Sequence, residues 1–119
     1  MLRVYGISNC DTVKRARAWL TAAGFEHQFV DFKREAPSVA LLRHWAGQQP
    51  WQTLLNRAGT TWRKLDAAEQ ALAIDEAGAL ALMATHASLI KRPVVDWGDG
   101  RLSVGFKEPQ FGLLAQECV

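Results

Sequence analysis

The feature that most constrains this chain is the stretch from Leu2 to Leu20, LRVYGISNCDTVKRARAWL, where a strand pattern gives way to a helix pattern across a cysteine. Leu2 and Val4 alternate with polar neighbours and Tyr5 and Ile7 extend the apolar run, which predicts a β-strand. Gly6-Ile7-Ser8-Asn9 leads to Cys10. Beyond it Val13, Ala16, Trp19 and Leu20 share one helical face, with Lys14, Arg15 and Arg17 largely outside it. The first turn of a helix leaves N–H groups without intrahelical partners, and together with the helix dipole they favour a thiolate over a thiol. Asn9, Asp11 and Thr12 can each cap locally, and Thr12 can donate its hydroxyl to the sulfur. Lys14 and Arg15 add positive charge, which Asp11 opposes. Most free cysteines are small buried hydrophobes, but a cysteine at this junction points to a nucleophile. Residue 13 is Val and residue 16 is Ala, so Cys10 belongs to no C-x-x-C pair, zinc knuckle or C-x5-R phosphate loop. Its resolving thiol must come from elsewhere.

Ala22-Ala23-Gly24 stops the helix, and Glu26 to Phe32 alternates around Phe29, Val30 and Phe32 as a second strand. Two short strands flanking one helix make a right-handed crossover with the strands parallel. Ser38 is an N-cap for a helix from Val39 to about Gln48, with Leu41, Leu42 and Trp45 on its apolar face. Pro50 and Gly59 punctuate the next segment, which reads as a short helix from Trp51 to Asn56, a turn and an irregular stretch. Asp66 and Asp75 mark two further helix starts, the clearer running from about Asp75 to Thr85. Pro93 cannot donate to a sheet and belongs at a strand's first residue or edge. Val94 and Val95 then start a third strand, Gly98-Asp99-Gly100 is a hairpin turn, and Arg101 to Phe106 returns antiparallel. Glu108 to Glu117 is a terminal helix with Pro109 in its first turn. The order β-α-β, helices, β-β-α is that of an α/β thioredoxin-like fold with a mixed four-stranded sheet. The expected organisation is one domain over residues 1–119 with a helical insertion at about 38–86.

Composition excludes several function classes. At 119 residues, 49% apolar and 22% charged, the chain has the make-up of one ordinary globular domain. A net charge of +2 is too small to argue for nucleic-acid or membrane binding. Two cysteines, at positions 10 and 118, make no disulfide framework, and Cys118 reads as incidental. No targeting segment or membrane-length apolar run is evident, so a monomer in the cytoplasm is expected. His27, His44 and His86 show no metal-ligand spacing, and no metal is expected. The tryptophans at 19, 45, 51, 62 and 97 read as core or core edge.

Four separated segments, GISNCDTVKRARAWL, LLNRAGTTWRKL, LIKRPVV and GRLSVGFK, resemble in order and spacing the arsenate-reductase-like family, and most closely its YffB-like branch. The resemblance covers essentially the whole chain. It implies a thioredoxin-like fold with a helical insertion and an N-terminal reactive cysteine, which Cys10 matches. In the arsenate-reducing branch that cysteine attacks arsenate, glutathione forms a mixed disulfide, and glutaredoxin reduces it. Arg92 takes the place of one oxyanion-binding arginine and Pro93 that of the fold's cis-proline. The family's middle arginine falls near Asn56, with Arg57 adjacent. The last falls near Gly105 to Lys107, where no arginine occurs and Lys107 is the available cation. A tetrahedral oxyanion needs several converging donors, so thiol chemistry at Cys10 is expected to outlast arsenate reduction.

The resemblance therefore implies a glutathione-dependent thiol reductase. Cys10 is the nucleophile, and Asn9, Thr12 and Lys14 stabilise its thiolate. Arg92, Pro93, Arg57, Arg63 and Lys107 receive substrate or glutathione. Glutathione is the co-substrate, glutaredoxin or a protein disulfide the possible partner. The rival class is an Spx-type regulator docking on RNA polymerase. Val13 argues against it, because the redox switch of that class is a C-x-x-C pair.

Overall fold

The computed structural model describes residues 2–117, with the side chain of the last left out. It divides into two compact units: one joins the segment up to Arg34 to the segment from Arg92 onward, and the other is Glu35–Lys91.

The first unit is built on a four-stranded sheet in the order β2-β1-β3-β4. The strands are β1 (Leu2–Gly6), β2 (His27–Asp31), β3 (Val94–Asp96) and β4 (Leu102–Val104), and the helix α1 (Asp11–Ala22) connects the first two. β1 and β2 run parallel, while β1–β3 and β3–β4 are antiparallel. This is the mixed sheet of a thioredoxin-like fold. Val13, Ala16 and Leu20 bury the face of α1 anticipated from their spacing. Leu2, Val4, Ala16, Leu20, Val95, Trp97 and Phe111 form the core. Phe111 comes from the C-terminal helix of this unit, Glu108–Glu117. Its ring meets Trp19, Trp97 and Phe106 edge-on, with centroids 5.5, 5.3 and 4.7 Å away; such pairs add stability beyond the area they bury. Trp97 also carries a polar atom into this core, and its Nε1–H donates to Ser103 Oγ at 3.0 Å.

The hairpin between β3 and β4 turns through Gly98 (φ 81°) and Gly100 (φ 91°), conformations that glycine adopts without steric cost. β4 is shorter than the expected Arg101-to-Phe106 strand. Arg101 is still part of the turn, where it pairs with Asp99 at 2.8 Å, and Gly105 bends away with φ 84°.

The second unit is helical: α2 (Val39–Ala46), α3 (Trp51–Leu54), α4 (Thr60–Lys64), α5 (Ala67–Ala71) and α6 (Glu76–Thr85), then a 3₁₀ turn at Ala87–Leu89. Its capping residues are local and legible. Ser38 accepts from Leu41 N–H, Asp75 from Gly78 N–H, and Asp66 with Glu69 forms a reciprocal capping box. Leu42, Trp45, Leu54, Leu55, Ala73, Ala79, Leu80, Leu82, Met83, Leu89 and Ile90 are among its buried apolar residues. The expected Trp51–Asn56 helix stops early because Leu55 goes extended to bridge Ile90. The supposedly irregular stretch contains α4, a five-residue helix too short to show a period. It is tied down when Gln70 Nε2 donates to the Trp62 carbonyl at 2.9 Å. Among the described residues no helix is long and apolar enough to cross a membrane.

Ser103→Ala would leave the buried Trp97 N–H without its acceptor, at a cost of about 1–3 kcal/mol. Urea unfolding should show a lower midpoint with an unchanged slope; an unchanged midpoint would mean that the hydrogen bond contributes nothing net.

Candidate functional site

One end of the sheet in the first unit gathers most of the residues singled out from the sequence. β1 ends at Gly6 and leads through the turn to Cys10. Tyr5 faces Val94 in the antiparallel register, so one step further along Pro93 comes opposite Gly6. Val94 faces Val104, and Gly105 N–H donates to the Pro93 carbonyl at 2.8 Å. The Cys10 turn, the Arg92-Pro93 loop and the Gly105–Lys107 segment therefore lie at the same end. The Arg92–Pro93 peptide bond is cis, as the family resemblance implied, and Pro93 directly precedes β3.

Cys10 is itself the N-cap residue of α1, with extended backbone (φ −112°, ψ 121°) and its carbonyl accepting from Lys14 N–H at 2.9 Å. It is half-buried and is the free cysteine among the described residues; Cys118 lies outside them. The capping roles given to Asn9, Asp11 and Thr12 are not what the structure shows. Cys10 occupies the cap position, and no side-chain cap hydrogen bond is made there. Asn9 is exposed in the preceding turn. Thr12 is half-buried in the first turn of α1. Lys14 stands four residues on, on the same face as Cys10, and both it and Arg15 are exposed. Negative charge on Cys10 is therefore favoured by the field of the α1 N-terminus as a whole, with Lys14 as a screened surface charge.

Arg92 is half-buried and Pro93 buried. Lys107 is exposed and lines a groove of about 510 Å³ with Arg15, Ala18, Trp19, Phe106 and Glu108. Sequence reading had no means of bringing Trp19 to Phe106 and Lys107, since the two stretches meet only through the fold. Arg57 and Arg63 belong to the helical unit. Arg57 has a structural task there: its Nη2 donates to the Ala73 carbonyl at 3.1 Å, and its guanidinium lies 5.2 Å from the Trp62 ring. Arg63 is exposed in the last turn of α4. Among the described residues no group of three or more His, Cys, Asp or Glu side chains is arranged to hold a metal.

Chemically, this end of the sheet offers a half-buried free sulfur at the start of a helix and cations on neighbouring loops. That set suits nucleophilic attack by sulfur on a disulfide or an oxidised group.

Comparison with known proteins shows the family and the fold. The family model described as the ArsC family matches residues 5–113. A solved structure of a YffB protein superposes with a TM-score of 0.89 at 45% identity, over 95% of this chain and 97% of that one. An arsenate reductase (ArsC) related protein from Brucella melitensis gives a TM-score of 0.73 at 44% identity, over 94% of this chain and 92% of its own. An uncharacterised protein of Haemophilus influenzae is 39% identical over 93% of this chain and 96% of its own length.

The one acidic side chain in the first turn of α1 is Asp11, and it opposes negative charge on the adjacent sulfur. Asp11→Asn should speed alkylation of Cys10 by a neutral reagent about two- to fivefold at low salt, with the gain shrinking as salt rises. A rate that does not change would show that the local field does not govern this sulfur.

Proposed function

From the premise that the chain belongs to the ArsC family, whose model spans most of its length, we propose that it is a glutathione-dependent thiol reductase with Cys10 as nucleophile. The observation that supports this most directly is the placement of Cys10. It is a half-buried sulfur at the N-cap of a twelve-residue helix, at the end of the sheet that also carries the Arg92-Pro93 loop. The Cys10 thiolate attacks one sulfur of a disulfide, the S–S bond breaks, and the other sulfur leaves as a thiolate. Cys10 is then held in a mixed disulfide. Glutathione thiolate attacks that bond and carries away the substrate sulfur, which restores the Cys10 thiolate. Residue 13 is Val, so no local cysteine can resolve the intermediate, and an external thiol fits the architecture.

Glutathione asks for a sulfur partner, an extended backbone beside Pro93 and cations for its two carboxylates. Arg92 and Lys107 are the basic residues of the Cys10 unit assigned to those carboxylates. Arg57 is occupied by the Ala73 carbonyl and the Trp62 ring. Arsenate asks for more, a set of donors converging on several charged oxygens, and the Gly105–Lys107 segment carries no arginine.

With oxidised glutathione, a Cys118→Ser protein should gain one glutathione per chain by intact mass, reversibly, and Cys10→Ser in the same background should gain none. Turnover of arsenate with glutathione and glutaredoxin should be poor; robust turnover would replace the substrate assignment. Arg92→Lys keeps the charge but loses the planar fork, and should slow mixed-disulfide formation roughly five- to tenfold. Equal rates in the two proteins would remove Arg92 from the binding role.

A further inference from the structure

We infer that Gly6 is a positioning residue for Cys10: the absence of a side chain at the end of β1 lets Val13 seat the first turn of α1, and with it the cap residue that carries the sulfur. This inference rests on the reading of Cys10 as the reactive group. A Cβ placed on Gly6 would lie 2.8 Å from Val13 Cγ2 and 3.5 Å from Cγ1. Carbon atoms pack at about 3.5–4.0 Å, so the side chain of alanine would force a displacement of about 1 Å.

Neither partner can yield cheaply. Gly6 is fixed by the sheet, its carbonyl accepting from Phe32 N–H at 2.8 Å and its register opposite Asp31 set by the parallel pairing with β2. Val13 is 1% exposed, and a β-branched side chain in a helix has one strongly preferred rotamer. Further along α1, Ala16 and Leu20 are embedded in the core and hold the rest of the helix. The displacement therefore falls on the first turn, where Cys10 is the cap and Asp11, Thr12 and Val13 present their N–H groups. A misplacement of that size at a reacting group is enough to matter for rate.

The test uses full-length protein in a Cys118→Ser background and compares Gly6→Ala, Val13→Ala and the double variant. Two readouts are taken at a temperature where all are folded: the rate of Cys10 alkylation, and the backbone amide signals of residues 11–13 by NMR. Gly6→Ala should slow alkylation about tenfold and shift the signals of residues 11–13, leaving those of the helical unit Glu35–Lys91 in place. Adding Val13→Ala removes the obstructing methyls and should restore both the rate and the signals. General destabilisation predicts no such rescue confined to the first turn. If Gly6→Ala is folded with an unchanged rate and unchanged signals, or if Val13→Ala fails to restore them, the inference is overturned. Should Cys10 of the parent protein react no faster than an ordinary thiol, the reductase reading fails, while the amide signals still decide whether Gly6 positions the turn.

Discussion

The seating of α1 on β1 through Val13, Ala16 and Leu20 governs the reactive end of the molecule, because those buried contacts decide where the first helical turn begins. A helix of twelve residues is marginal on its own in water, so its start is set by packing more than by propensity. The N-cap here is a cysteine, a poor capping residue that makes no side-chain cap bond. The local sequence thus gives up capping stability at the very position where an exposed set of backbone donors is chemically useful. Burial of the opposite face offsets that loss.

The helical unit solves a different problem. α3, α4 and α5 are only four to five residues each, far below the length at which a helix holds itself. Hydrogen bonds from elsewhere in the unit hold α4, α5 and the segments that flank them, while α3 has no side-chain cap and buries Leu54. Asp66 and Glu69 cap α5 reciprocally, Gln70 reaches back to Trp62, and Arg57 holds the carbonyl of Ala73. Asn56 N–H and Lys91 N–H bind the carbonyls of Leu89 and Leu54 across the Leu55–Ile90 bridge. Hydrogen bonds from side chain to backbone here replace the regular ladders of the first unit.

These differences explain what could be read from the chain alone. Caps at Ser38, Asp66 and Asp75 act on N–H groups three residues away, so a short window of sequence contains their whole cause. The same holds for the glycine hairpin and for the amphipathic face of α1. The cysteine at the strand–helix junction was legible for that reason. The five-residue α4 was not, since Gln70 lies eight residues from the carbonyl that it binds. For Arg57 the family resemblance supplied a position and a charge, whereas the destination of the guanidinium depends on Trp62 and on a carbonyl sixteen residues away.

The hairpin at Gly98 to Gly100 works as a ruler for a site that it does not touch. β3 and β4 are three residues each, so the turn stands only about 10 Å of strand from the Pro93 end. No long ladder exists to absorb an error in between. A slip of one residue would turn every side chain of the slipped strand to the opposite face. Trp97 would lose Ser103, and Gly105 would lose the Pro93 carbonyl, in a single step. An exposed loop tip ordinarily accepts insertions, but the dimensions of this one are transmitted to the far end of the sheet. Length variation in this turn is therefore constrained by where the Arg92-Pro93 loop must stand, and a fusion point chosen for exposure alone would be chosen on the wrong criterion.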